Sequence, residues 1–263
     1  MISHIKRNDL GGKRNVMKSL LETLVNEIKE IRSDLKKKIT KRSGRIFIIN
    51  QSKIKESLSM YTREQIMKVV EEKGYKYFHD NTDKSYDVNI IGIRNSETKG
   101  RVTNAFDDLM TIAYKDESCE WQYHEFPCTT DPGTHWVEHP MMEIGVAILK
   151  PGQYRGSHKI RLHGGKYTAL GQKKDVTVYR DADRDNKYDL DENNTTTGLF
   201  GINIHRATSK AGRKSTRVDK WSAGCQVIAH NDHWHQFLGI CQIARDIHGN
   251  SFSYTLLESK DIV

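Results

Sequence analysis

An α+β fold that is predominantly β, a sandwich or barrel-like sheet domain behind a basic helical N-terminal arm, is predicted by three observations on this 263-residue chain. Short β-branched and aromatic runs recur between turn signals from residue 86 onward. An apolar heptad seam occupies only the first 45 residues, and the excess positive charge sits in that same segment. The expected divisions are therefore a basic amphipathic helical arm over 1–45, a mixed helix and strand lead-in over 46–85, and a β-rich domain over 86–263.

In the arm, Met17, Leu21, Leu24, Ile28, Ile31 and Leu35 alternate in steps of four and three, the spacing of a coiled-coil seam on a helix running over 14–42. About two and a half heptads are marginal alone, so the helix needs a partner. Either it docks on its own domain, or it serves self-association or contact with an anionic surface, to which Lys36–Lys38, Lys41 and Arg42 are suited. Residues 1–45 hold 13 Lys+Arg against 5 Asp+Glu, and the rest of the chain holds 29 of each. The net charge of +8 thus belongs to the arm, and a neutral domain is not expected to read nucleic-acid sequence. No run approaches the roughly 18 apolar residues of a membrane span, and no secretory signal is recognisable at the start.

Arg45–Asn50 reads as a short strand. Thr62-Arg-Glu-Gln65 has the form of a capping box opening a helix to about Lys73, stopped by Gly74. The β-rich runs are Val88–Ile93, Leu109–Tyr114, Trp121–Phe126, Gly145–Leu149 and Val176–Tyr179, punctuated by Asp131-Pro-Gly133 and Pro151-Gly152. A helix near His233–Ile247 and a last strand, Phe252–Leu257, close the domain.

Four cysteines, Cys119, Cys128, Cys225 and Cys241, lack the short paired spacing of zinc or redox motifs, so reduced thiols are expected. Cys225 has a distinctive setting: Gly201-Ile-Asn-Ile-His205-Arg is followed by Val218-Asp-Lys-Trp-Ser222-Ala-Gly-Cys225-Gln-Val-Ile. A reactive cysteine needs a base, donors for the oxyanion, and exposure. Ile202 and Ile204 alternate around Asn203, as in a strand presenting His205 near its end. Only small residues precede the sulfur, so the backbone can turn sharply, and the N–H groups near Gly224 and Cys225 are candidate oxyanion donors. The plainer reading, a thiol packed as a small core hydrophobe, is retained for Cys119, Cys128 and Cys241.

The pattern resembles the catalytic domain of the L,D-transpeptidases: a histidine, a spacer, then Ser/Thr-His-Gly-Cys with a polar Asn or Arg soon after. Sixteen residues separate His205 from Ser222, and Gly224-Cys225 completes the motif. Upstream, Thr129-Thr-Asp-Pro-Gly133 is loosely similar to the family's Thr-Pro-x-Gly turn, and the likeness spans about residues 125–230. It implies a β-rich fold, a Cys225–His205 nucleophile and base pair, a site-lining Ser222, and acyl transfer at the peptide stem of bacterial peptidoglycan. Ala223 replaces the family's second histidine, Arg206 follows the first histidine where glycine is common, and Val227 leaves Gln226 as the nearest polar group. These departures leave the acceptor open between an amine and water. Arg206, Gln226 and His163, the last followed by two glycines that permit close backbone approach, are the candidate substrate-lining residues. The group orienting His205 is either Asp219 or a backbone carbonyl, and His205 is expected to lower the Cys225 pKa.

No cofactor is required for that chemistry. Independently, Asp181, Asp183, Asp185, Asp189 and Glu192 fall at positions 1, 3, 5, 9 and 12 of a calcium-loop pattern, with the Lys187 carbonyl at 7 and Asn186 where glycine usually turns the chain. A strand precedes this loop, so the alternative is a solvated acidic hairpin tip. His230, His233 and His235 read better as a helix-start cluster than as zinc ligands, because His235 lies round the helix from the other two. The expected function is a cysteine acyl-transfer enzyme on peptidoglycan stem peptides, L,D-transpeptidase-like or a murein peptidase. The rival is a non-catalytic phage virion or wall-associated protein keeping the fold, and a metal-dependent hydrolase is the weakest reading. Cytoplasmic synthesis with access to the wall by phage delivery, lysis or non-standard export is expected.

Overall fold

The computed structural model describes residues 59–79 and 84–262. The expected arm helix over 14–42 and the strand expected at Arg45–Asn50 lie outside the described residues. The first helix, α1 (Arg63–Glu72), starts where the capping box lies: the Thr62 side chain accepts from the Gln65 N–H, and the Gln65 side chain accepts from the Thr62 N–H. Gly74, with φ of 72°, ends it in the left-handed region that glycine tolerates. One apolar face, Ile66, Val69 and Val70, is buried in a cluster with Ile91, Ile93, Ala113 and Leu257.

Eight strands close into a barrel: β1 (Asn89–Arg94), β2 (Asp108–Lys115), β3 (Trp121–Thr129), β5 (Gly152–His163), β6 (Tyr167–Gln172), β9 (Ile204–Arg206), β10 (Gln226–Ile228) and β11 (Phe252–Glu258). Their order around the barrel is β1-β11-β5-β6-β9-β10-β3-β2. Neighbours are antiparallel except β1 with β11 and β9 with β10. A second sheet of three strands, β4 (Val146–Leu149), β7 (Val176–Asp181) and β8 (Thr195–Gly198), runs in the order β4-β7-β8. The helices α2 (Thr134–Glu138) and α3 (Asn231–His248) complete the described elements of regular length. The fold is mostly β, as expected.

The period of two is visible in β2. Met110, Ile112 and Tyr114 join the main core, whereas Leu109 and Ala113 face the cluster under α1. Ile90, Phe126, Leu170, Ile204, Tyr254 and Leu256 fill the main core with Trp234, Phe237 and Cys241 of α3. Each large side chain buried this way is worth about 1.5–3 kcal/mol, and barrel closure gives each of the eight strands a neighbour on both sides. Cys128 and Cys241 are buried core thiols, but Cys119 is exposed, in the turn joining β2 to β3, so the core reading fails for it. No helix of the described residues is long and apolar enough to cross a membrane.

Candidate active site

The spacing between His205 and Ser222 has a topological cause. Parallel neighbours cannot be joined by a tight turn and need a crossover of roughly a dozen or more residues. Residues 207–225 are that crossover, carrying the chain from β9 to β10, where Gln226 pairs with Ile204 and Val227 with His205. Paired residues share a face and alternate residues return to it. Continuing the alternation one residue before β10 puts Cys225 on the side of His205, and the Asn203 N–H lies near its thiol. Ile204 and Ile228 point the other way, into the barrel core.

Cys225 is half-buried, and its thiol donates to the Gly201 carbonyl at 3.3 Å rather than to His205. Burial pushes the thiol up to about 11, and the nearby Asn203 N–H offsets only part of this. The expected lowering by His205 is thus overturned, because desolvation dominates and the imidazole is itself neutral. His205 is 4% exposed, and burial brings it down to about 4 against a raising effect from the Arg206 carbonyl. That carbonyl lies 2.9 Å from His205 Nδ1 and can only accept. Nδ1 therefore carries the proton, and the lone pair is on Nε2, the tautomer a general base needs. Asp219 does not orient His205; its carboxylate accepts from Asn104 Nδ2 at 2.6 Å and pairs with Arg217.

Two further side chains, His163 and Tyr167, pack against the imidazole. The His163 ring stacks on it with centroids 4.5 Å apart, and burial lowers the His163 pKa. Asn203 Nδ2 donates to His163 Nδ1 at 3.3 Å, and the Tyr167 hydroxyl is 3.3 Å from His205 Nδ1. The Arg206 guanidinium lies 4.4 Å from the centre of the Tyr167 ring. The two glycines after His163 serve the hairpin between β5 and β6, both at positive φ with no neighbour near, rather than a close backbone approach.

The loop before Cys225 is built from within. Ser222 is fully buried; its Oγ accepts from the Gly224 N–H at 3.1 Å and donates to the Cys225 carbonyl at 2.8 Å. Ser222 is accordingly a brace of the turn, not a cleft residue. The Gly224 N–H is already engaged, which removes it as an oxyanion donor and leaves the Cys225 N–H as the donor of this turn that Ser222 does not use. Gly224 has φ of 119°, and a Cβ there would sit 2.2 Å from the Ala147 carbonyl oxygen, so only glycine fits. The Gly133 N–H bonds the Ser222 carbonyl at 2.9 Å, docking the Thr129–Gly133 turn on the loop. Gln226 is also fully buried, contrary to a substrate-lining role. Its Nε2 donates to the carbonyls of Thr130 and Gly224, both at 3.2 Å, while its Oε1 accepts from the Tyr254 hydroxyl at 2.7 Å.

A groove of about 220 Å³ reaches Ala223, two residues before Cys225, and is walled by Trp136, Met142, Val146 and Phe200. Among the described residues its one charged wall residue is Arg180, 6% exposed, with the guanidinium 4.6 Å from the Phe200 ring centre. Arg180 donates to Thr196 Oγ1 at 2.8 Å and to the Gly145 carbonyl at 3.4 Å. Burial lowers its pKa with no neighbouring carboxylate opposing the shift. Tyr167, Asn203 and Arg180 were not singled out as site residues in the sequence. Tyr167 and Arg180 carry no local motif, and Asn203 was legible only as the polar residue between Ile202 and Ile204.

In the acidic loop, one oxygen each of Asp181, Asp183 and Asp189 lie within 4.8 Å of one another. Glu192 does not join them: it pairs with Lys150 and accepts from the Tyr179 hydroxyl at 2.7 Å. Asp185 is also outside the group, its carboxylate accepting from the Lys187 N–H at 2.6 Å. The left-handed residue of the loop is Arg184, φ 64°, not Asn186. Burial, then Asp189, Asp183 and Asp185, push Asp181 up to about 6. His230 caps α3, its ring accepting from the Asp232 N–H at 3.1 Å, and among the described residues His230, His233 and His235 form no metal-binding group. Comparison with models of known families, with curated proteins and with solved structures finds no match.

Proposed function

We propose that the chain is a cysteine acyl-transfer enzyme acting on peptidoglycan stem peptides, an L,D-transpeptidase-like transferase or a murein peptidase on a barrel of that type. What supports it is the position of Cys225 immediately before β10, the parallel neighbour of the strand that carries His205, with His205 Nδ1 tied to the Arg206 carbonyl. The thiol leaves the Gly201 carbonyl and passes its proton to His205 Nε2 as sulfur attacks the stem-peptide carbonyl carbon. The carbonyl π pair moves onto oxygen, facing the Cys225 N–H. Collapse expels the leaving amine, which takes the proton from Nε2 and leaves a thioester on Cys225. An amine or water, deprotonated by His205, then attacks the thioester, and the thiolate recovers the proton. With the thiol raised and the imidazole lowered, proton transfer accompanies attack rather than preceding it.

Arg180 supplies recognition in this reading. A buried guanidinium with no acidic partner among the described residues, beside an apolar groove, suits a free carboxylate on a peptide. Delivery to the wall by a phage particle, by lysis or by non-standard export belongs to the same proposal. The non-catalytic wall-associated or virion reading draws on one observation, the resting thiol bonded to Gly201. Incubation of the full chain with purified stem peptides, followed by mass spectrometry, separates the two. Turnover by the wild type that falls by several orders of magnitude in Cys225→Ala is expected; no product from either protein would favour the non-catalytic reading.

A further inference from the structure

Asp181 is the last residue of β7, and its side chain is inside the protein. It is 1% exposed, and neither carboxylate oxygen has a hydrogen-bond partner among the described residues. The Asp189 N–H approaches it without the geometry of a bond. A buried carboxylate with no partner is among the costliest groups a fold can hold, because it loses water and gains nothing. Yet this one is aimed at two more carboxylates, Asp183 and Asp189, rather than at a cation of the chain. The charges that act on it most strongly, Asp189, Asp183 and Asp185, are all negative.

We propose that Asp181, Asp183 and Asp189 bind one calcium ion. Two oxygens on the same calcium, each at 2.3–2.6 Å, can be no farther apart than roughly 5 Å; the three carboxylate oxygens meet this, lying within 4.8 Å. The donor set is all oxygen, with no imidazole or thiolate, which selects a hard cation over zinc or copper. Calcium accepts irregular sets of six to eight oxygens, whereas magnesium demands a near-ideal octahedron. Asp183 and Asp189 are exposed, so water can complete the shell from the solvent side.

The ion would brace a loop that already touches the nucleophile's support. Val102 N–H bonds the Asn186 carbonyl at 3.0 Å, Tyr188 N–H bonds the Gly100 carbonyl at 2.7 Å, and the Tyr188 hydroxyl donates to the Pro132 carbonyl at 2.7 Å. Pro132 precedes Gly133, whose N–H holds Ser222. The site itself, however, rests only on the three aspartates and is independent of catalysis.

The test is calcium binding by titration calorimetry together with thermal unfolding of the full chain in a calcium chelator, in graded calcium and in equal magnesium. The melting temperature should rise with the logarithm of free calcium, with little effect of magnesium. Asp181→Asn should melt higher than wild type in chelator, because it removes the unpartnered charge. Asp183→Asn, an exposed change that leaves the core untouched, should weaken calcium binding about tenfold or more, since ligand charge sets affinity in such sites. Equal melting temperatures in chelator and in about 10 mM calcium, above the weakest such sites, would overturn the proposal. So would an equal rise in magnesium, or a calcium effect undiminished in both variants.

Discussion

At Cys225 and His205 burial sets the protonation state. The imidazole resists gaining a proton and the thiol resists losing one, so neither can use the other as a charged partner at rest. Alkylation of Cys225 by iodoacetamide, followed on its own peptide by mass spectrometry, should therefore climb from pH 7 to 10 without a plateau. The thiolate fraction grows about tenfold per pH unit below the thiol pKa. His205→Ala should leave that profile nearly unchanged while removing turnover. A plateau below about pH 8 would mean that an imidazolium stabilises the thiolate after all. The residues around the pair were only partly legible. His163 could be suspected, and it does stack on His205, but Ser222 and Gln226 turned out to hold the loop from inside. A short run of small and polar residues does not reveal which of them faces inward; that depends on the register of β10 against β9 and β3.

Among the elements, β7 turns adjacent residues to two different places. Alternation sends Arg180 to the groove and Asp181 to the acidic loop. If Arg180 meets a substrate carboxylate, Arg180→Gln should raise KM for stem peptides about tenfold or more, the worth of a hydrogen bond to a charged group, with kcat little changed. The melting temperature should be measured alongside, since Arg180 also bonds Thr196 and Gly145. Unchanged KM in a folded variant would remove Arg180 from recognition. The apolar cores of β1, β2, β3 and β11 were readable from local runs, and α1 from its capping box. β5 and β6 were not, because Gly152–His163 is polar and glycine-containing along much of its length and owes its strand state to partners on both sides. β10 is three residues long and exists only through β9 and β3.

The whole barrel stakes part of its stability on keeping His158 neutral. This side chain is fully buried, its Nδ1 2.8 Å from Ser157 Oγ and its Nε2 2.9 Å from the Ile202 carbonyl. Burial lowers its pKa from 6.5 to about 4. The unfolded chain then binds the proton more readily, so the contribution is complete above 6.5 and is lost as pH falls toward about 4. The loss amounts to roughly 3 kcal/mol over that window. Urea unfolding of wild type and His158→Gln at pH 7 and pH 5 should show the variant's destabilisation smaller at pH 5 by roughly 2 kcal/mol. The same difference at both pH values would mean that His158 titrates normally.

What the residues carried in themselves were the local signals and the one spacing that topology demands. The Thr62 box, the apolar runs and the Gly74 stop act within a few positions. The His205 to Ser222 interval is long because a parallel crossover cannot be short. Folding settled the direction of the thiol and imidazole pKa shifts, the loss of the Gly224 N–H to Ser222, the orienting role of the Arg206 carbonyl, and the departure of Asp185 and Glu192 from the three-aspartate cluster. Each of these depends on desolvation and register, quantities summed over residues far apart in the chain, such as Tyr254 on Gln226 and Lys150 on Glu192.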